Sequence, residues 1–247
     1  MMLFKSQLKY FPGCGKTFSF YHSFFLTKGL EKGMYIQVNQ LSKKIKGVSI
    51  LNNVSFNVEK GTVTILKGPN GSGKTMILRT ICGLVKPDQG SIMVAQKEIH
   101  FGKQLPVSMG IIIETPEFIN SYTGFQNLKF LGSIQSSLKQ DQIQTYMTKM
   151  GMDTYQHQKV AKYSLGMRQR LAIVQAFMED QEVVLLDEPT NALDADGLLL
   201  LNSLIEEQRK KGVTILIATH SHQEIYVDCQ HVLHIENGSV KGEQQDA

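Results

Sequence analysis

Residues Gly68-Pro69-Asn70-Gly71-Ser72-Gly73-Lys74-Thr75 satisfy the pattern G-x-x-x-x-G-K-[ST] in full, and the apolar run Val63-Thr64-Ile65-Leu66 stands just before them. This constrains the fold strongly, because the motif has physical meaning only where a strand delivers the loop to the start of a helix. Three glycines let the backbone approach an anion more closely than side chains would permit. The amides opening the next helix point partial positive charge at it. Lys74 is then placed to reach β- and γ-phosphates, and the Thr75 hydroxyl to take one position on Mg²⁺, an ion that prefers oxygen ligands. The expectation is a bound nucleoside triphosphate.

The 247 residues are 42% hydrophobic, enough for the core of one α/β domain. Cys14, Cys82 and Cys229 are odd in number, widely spaced and in no C-x-x-C arrangement. Neither a disulfide framework nor a zinc site is indicated, and the usage fits a reducing, cytoplasmic compartment. The net charge of +4 is uneven: residues 1 to 33 carry Lys5, Lys9, Lys16, Lys28 and Lys32 against Glu31, which accounts for the whole excess. The remaining chain is formally neutral, so the basic surface that nucleic acid requires is missing from the pattern.

Those first 33 residues also hold eight of the twenty aromatics, with neither a helical nor a strand period. Gly13-Cys14-Gly15-Lys16-Thr17 imitates the end of a phosphate loop, but Tyr10 stands where the first glycine belongs and no strand precedes it. It reads as a decoy. Two readings of the segment stay open: a membrane-surface element rich in aromatics and lysines, or an extension foreign to the domain, with Met34 as the true start. The second is preferred.

From Met34 the pattern becomes orderly. Tyr35 to Val38 and Val54 to Val58 alternate as strands with one buried face, Gly110 to Ile113 is a short apolar strand, and Thr123 is a plausible N-cap for helices reaching Met152. A further helical stretch follows Gly166. Val183 to Leu186 and Val213 to Ile217 are unbroken apolar runs, as expected for a parallel sheet covered on both faces. Leu198 to Leu201 read as a buried helix, since a membrane span needs about 20 apolar residues. Asp187-Glu188 closes one of these strands, which sets both carboxylates at the carboxyl edge of the sheet where ligands bind. Asp187 suits the Mg²⁺ shell, and Glu188 suits the orientation and deprotonation of an attacking water.

Tyr163-Ser164-Leu165-Gly166-Met167-Arg168-Gln169-Arg170 resembles the signature motif of ABC ATPases, usually centred on Leu-Ser-Gly-Gly-Gln, and keeps its Ser164 and Gly166. Those two groups can offer hydroxyl and amide donors to a γ-phosphate, or Ser164 can simply cap a helix. Asn191-Ala192-Leu193-Asp194 resembles the D-loop, and His220 resembles the switch histidine that contacts γ-phosphate. Two positions depart from the family pattern. Glu114 stands where the Q-loop glutamine is usual, keeping an oxygen ligand for Mg²⁺ but adding charge. Ile45 stands where an aromatic usually stacks on adenine. Glu114-Thr115-Pro116 together with the altered signature is similar to ATP-binding subunits of bacitracin-resistance and lantibiotic-immunity exporters.

The resemblance, spanning residues 34 to about 240, implies a P-loop NTPase core with a mainly parallel sheet, an antiparallel β subdomain and an inserted α-helical subdomain at about 115 to 165, followed by a tail from 241 to 247. It implies ATP and Mg²⁺ as ligands. The implied activity is ATP hydrolysis that energises a separate membrane permease, in export of or immunity to a peptide antibiotic or other drug, from the inner face of the cell membrane. The implied partners are that permease and a second nucleotide-binding subunit, a homodimer mate or close paralogue. In that dimer Ser164, Leu165, Gly166 and Met167 of one subunit face the phosphate held by Lys74 of the other. An ATP-gated regulatory module that controls a partner without transport is the alternative.

Overall fold

The computed structural model describes residues 33–114, 117–134, 138–220, 225, 227 and 229–244, and the two readings of residues 1 to 32 therefore lie outside the described residues. Strand β1 (Met34–Ile45) pairs antiparallel with β2 (Val48–Glu59), and with β4 (Gln89–Val94) and β5 (Lys97–Glu98) they form a sheet in the order β2-β1-β4-β5. On β2 the side chains of Val54, Phe56 and Val58 are buried while the residues between them are exposed, the alternation of a strand with one covered face.

The second sheet runs β10-β9-β3-β8-β7-β6, built from β3 (Val63–Lys67), β6 (Met109–Ile112), β7 (Val183–Asp187), β8 (Thr214–Thr219), β9 (His231–Glu236) and β10 (Ser239–Gln244). Every neighbouring pair is parallel except β9 with β10. All residues of β7 and β8 are buried, which explains their unbroken apolar runs. Successive side chains point to opposite faces: Leu66, Leu185 and Leu216 enter a core shared with the antiparallel sheet, whereas Ile65, Leu186 and Ile217 enter a second core. Helix α1 (Lys74–Ile81) fills the first core with Ile77, Leu78 and Ile81. Helices α2 (Gly124–Gly132), α3 (Gln140–Lys149), α4 (Leu165–Phe177) and α5 (Ala195–Lys210) contribute Leu128, Met147, Phe177 and Ile205 to the second. Cys82 and Cys229 are buried among apolar neighbours.

Thr123 starts α2 through a reciprocal cap: its Oγ1 accepts from Gln126 N at 3.1 Å, and the Gln126 side chain accepts from Thr123 N at 2.9 Å. Losing such a cap costs about 1 kcal/mol. Thr123→Ala is therefore expected to lower the urea midpoint by that equivalent and Thr123→Ser to leave it nearly unchanged, as chemical denaturation would show.

Two expectations are corrected. The four leucines from 198 to 201 are not buried together: Leu201 is fully buried but Leu199 is 64% exposed. Successive helical residues are turned by about 100°, so no four in a row can share one face. The chain beyond 240 is not a tail at its start either, because β10 continues to Gln244, with Gly242 opposite His234 and Gln244 opposite Val232. Polar residues suit an edge strand, and that hid it from the apolar pattern.

Candidate active site

Strand β3 carries the phosphate loop to α1. Gly68 lies so close to β9 that a Cβ there would stand 2.1 Å from the Ile235 carbonyl oxygen. Gly73 has φ +106°, a left-handed conformation that side chains resist, and precedes a helix start with no side-chain cap. The first amides of α1 are therefore left for an anion. Lys74 is buried and folded over the loop, donating to Gly68 O at 2.7 Å and Pro69 O at 3.1 Å.

Across the cavity, β7 ends at Asp187, which accepts from Thr75 Oγ1 at 2.8 Å. Burial raises the Asp187 carboxyl above its usual range, and the Thr75 hydrogen bond offsets part of that. Glu188 follows in a left-handed backbone conformation, φ +45°, fixed by its amide on Ala218 O at 2.8 Å. Its Oε2 accepts from Thr219 Oγ1 at 3.2 Å and lies 2.9 Å from His220 Nδ1, while Oε1 is 3.8 Å from Lys74 Nζ. Because β7 and β8 run parallel with Asp187 opposite Ala218, their ends bring Glu188 and His220 together.

Three buried oxygens here have no hydrogen-bond partner among the described residues: Ser72 Oγ, Asp187 Oδ1 and Glu188 Oε1. An unsatisfied buried acceptor costs about 1–3 kcal/mol. Their convergence on one cavity of about 690 Å³ fits a ligand that brings a cation and polar groups. Thr75 and Asp187 make an oxygen pair of the kind Mg²⁺ takes.

Matches to known proteins agree with this geometry. A profile of the family described as ABC transporter matches residues 51–191. The chain belongs to the ABC transporter family. An uncharacterized ABC transporter ATP-binding protein of Bacillus subtilis, YybJ, is 39% identical over 206 residues, 83% of this chain and 94% of that protein. The lantibiotic transport ATP-binding protein SrtF of Streptococcus pyogenes is 33% identical over 190 residues, covering 77% and 82%. A solved ATP-binding subunit of an ABC transporter superposes with a TM-score of 0.75 at 25% identity, over 85% of this chain and 90% of that one.

The other expected ABC positions fall as follows. Ser164 is the N-cap of α4, accepting from Met167 N at 3.2 Å, so the capping reading describes it in this state. A Cβ on Gly166 would meet the Ala192 carbonyl at 2.7 Å, which ties the signature segment to the D-loop of the same chain. Asp194 caps α5 through Gly197 N at 2.9 Å and pairs with Arg170. Ser164, Gly166, Met167 and Asp194 line a second cavity of about 540 Å³, and only Leu165 of the signature quartet reaches the cavity of Lys74.

Two expected residues stand differently. Glu114 lines the Lys74 cavity, but its carboxylate accepts from Arg79 and stands apart from the hydrogen bond between Thr75 and Asp187. Ile45 is 41% exposed at the β1–β2 turn, and Ile50, on the strand after it, lines the cavity beside the phosphate loop. Sequence reasoning also missed two residues. The buried Gln169, which donates to Pro189 O at 3.0 Å, ties α4 to the turn after Glu188. Arg79 was detectable, standing one helical turn beyond Thr75 on the same helix.

Proposed function

We propose that this chain is the ATP-hydrolysing subunit of an ABC transporter and energises a separate permease that exports, or confers immunity to, a peptide antibiotic or related drug. The observation that carries the reading is the placement of Glu188 between Lys74 and His220, beside the Thr75–Asp187 pair, in one cavity with the phosphate loop.

The chain's own groups suffice for positioning. Loop amides and Lys74 hold the β- and γ-phosphates, and Glu188 orients a water and accepts its proton as the water attacks γ-phosphorus and the bond to the β,γ-bridging oxygen breaks, releasing ADP and phosphate. His220, on the far side of the same carboxylate, holds Glu188 in position and registers the γ-phosphate. Thr75 and Asp187 would hold Mg²⁺, which would supply positive charge to the phosphates. Glu114 would have to leave Arg79 to reach it. Ser164 and Gly166 serve the phosphate of a second subunit, identical or a close paralogue, in a head-to-tail pair.

Among the described residues no helix is long and apolar enough to cross a membrane. The translocation path is assigned to the permease, with this chain peripheral on the inner face of the membrane. The peptide-antibiotic cargo follows the lantibiotic transport relative.

Phosphate release by the purified chain is expected with Mg²⁺ and ATP and is expected to vanish in EDTA. A strain lacking the chain is expected to become sensitive to one or more peptide antibiotics. Absence of Mg²⁺-dependent release would overturn the enzymatic reading, and an unchanged drug-sensitivity profile would overturn the cargo.

A further inference from the structure

Three carboxylates face the phosphate cavity, those of Glu114, Asp187 and Glu188, against two basic groups, Lys74 and Arg79. Lys74 stands inside the loop, within 3.8 Å of Glu188. Arg79 stands one turn beyond Thr75 on α1 and pairs with Glu114 at the cavity wall. Glu114 has a left-handed backbone, φ +65°, a conformation that glutamate seldom adopts. Its side chain is 65% exposed, and it lines the cavity that also holds Asp187 and Glu188.

A glutamate at this wall is an electrostatic problem for a site that takes a triphosphate. Like charges in a cleft with low-dielectric walls repel over several ångströms, and the polyphosphate is more negative than any side chain. We propose that Arg79 is a positioning residue that neutralises Glu114 beside the phosphates, so that nucleotide affinity depends on the pair and not on either residue alone. The proposal rests on the reading of this cavity as an ATP site. Arg79 reaches one carboxylate oxygen through one guanidinium nitrogen and carries a permanent charge, which makes the pair close to neutral when seen from the loop. With Arg79 removed, the uncompensated carboxylate faces the incoming phosphates. With both charges removed, the wall is neutral again.

The test is the affinity of the full chain for a fluorescent N-methylanthraniloyl ATP in EDTA at low salt, where metal ligation cannot contribute. Arg79→Met is expected to weaken binding about tenfold. Glu114→Gln is expected to bind about two- to fivefold more tightly, because Arg79 then faces the phosphates unpaired. The double variant is expected to return to within about twofold of the parent, and Arg79→Lys to recover most of the loss. In 0.5 M NaCl the differences should shrink, since the pair is partly exposed.

A purely structural brace predicts the opposite pattern. Glu114→Gln would then weaken binding as Arg79→Met does, and the double variant would show no recovery. That pattern overturns the proposal, as does an Arg79→Met chain that binds like the parent. Loss of cooperative melting in Arg79→Met alone leaves the double variant and Arg79→Lys to decide. If the parent chain itself fails to bind the probe, the reading of the site falls; if the parent binds and the variants do not differ, only the role of Arg79 falls.

Discussion

Glu188→Gln is expected to reduce ATP turnover by at least about 100-fold while leaving nucleotide affinity within a few-fold of the parent, since general-base assistance contributes about 10²–10⁴. The amide keeps the shape of the carboxylate and can still meet Thr219 and His220, which contact Oε2 at 3.2 and 2.9 Å. It cannot accept the proton of the attacking water. In the proposed head-to-tail pair each ATP is held by both subunits, so a variant that binds ATP without hydrolysing it should also accumulate an ATP-dependent dimer. Phosphate release and size-exclusion chromatography with ATP measure the two consequences. Turnover near the parent's would remove Glu188 from the role of base, and a monomeric variant with intact binding would remove the head-to-tail pairing.

Lys74→Ala is expected to act at the earlier step and to weaken ATP binding by about 100-fold, equivalent to about 2.7 kcal/mol. Lys74 is buried, with its ammonium held on the carbonyls of Gly68 and Pro69, so its charge is already desolvated and aimed before the phosphate arrives. Alanine removes that charge and leaves Glu188, 3.8 Å from the lost nitrogen, without its counter-ion. Repulsion between Asp187, Glu188 and the triphosphate then adds to the missing attraction. Titration calorimetry reads the affinity, and a parent-like value would show that the loop amides of α1 suffice.

Much of this site was legible in the sequence because its parts are either contiguous or sit at strand ends. The phosphate loop is one uninterrupted stretch between β3 and α1, and its chemistry does not depend on distant residues to be recognised. Asp187, Glu188 and His220 were legible for a different reason. Apolar runs that become parallel neighbours place whatever follows them at one edge, and β7 and β8 do this with Asp187 opposite Ala218.

What escaped the sequence depends on long-range packing. The Arg79–Glu114 pair joins a helix to the end of β6, and no local period announces it. Ile50 lines the cavity because the strand after the β1–β2 turn passes the loop, which no local period announces. The polar residues of β10 hid an edge strand that, among the described residues, pairs with β9. Ser164 illustrates the remaining limit: one hydroxyl can cap its own helix or serve another subunit's phosphate, and the sequence is the same in both states.

The close approach of Gly68 to Ile235 has a consequence for the order of events during synthesis. The phosphate loop is translated early, but Gly68 rests against β9 and Ser72 O accepts from the amide of Gly238, in the turn between β9 and β10. Neither support exists until the ribosome has passed Gly238 and that hairpin has emerged and docked. A nascent chain therefore carries the whole motif from Thr75 until Gly238 without the scaffold that shapes it, and competence for nucleotide waits for the β9–β10 turn.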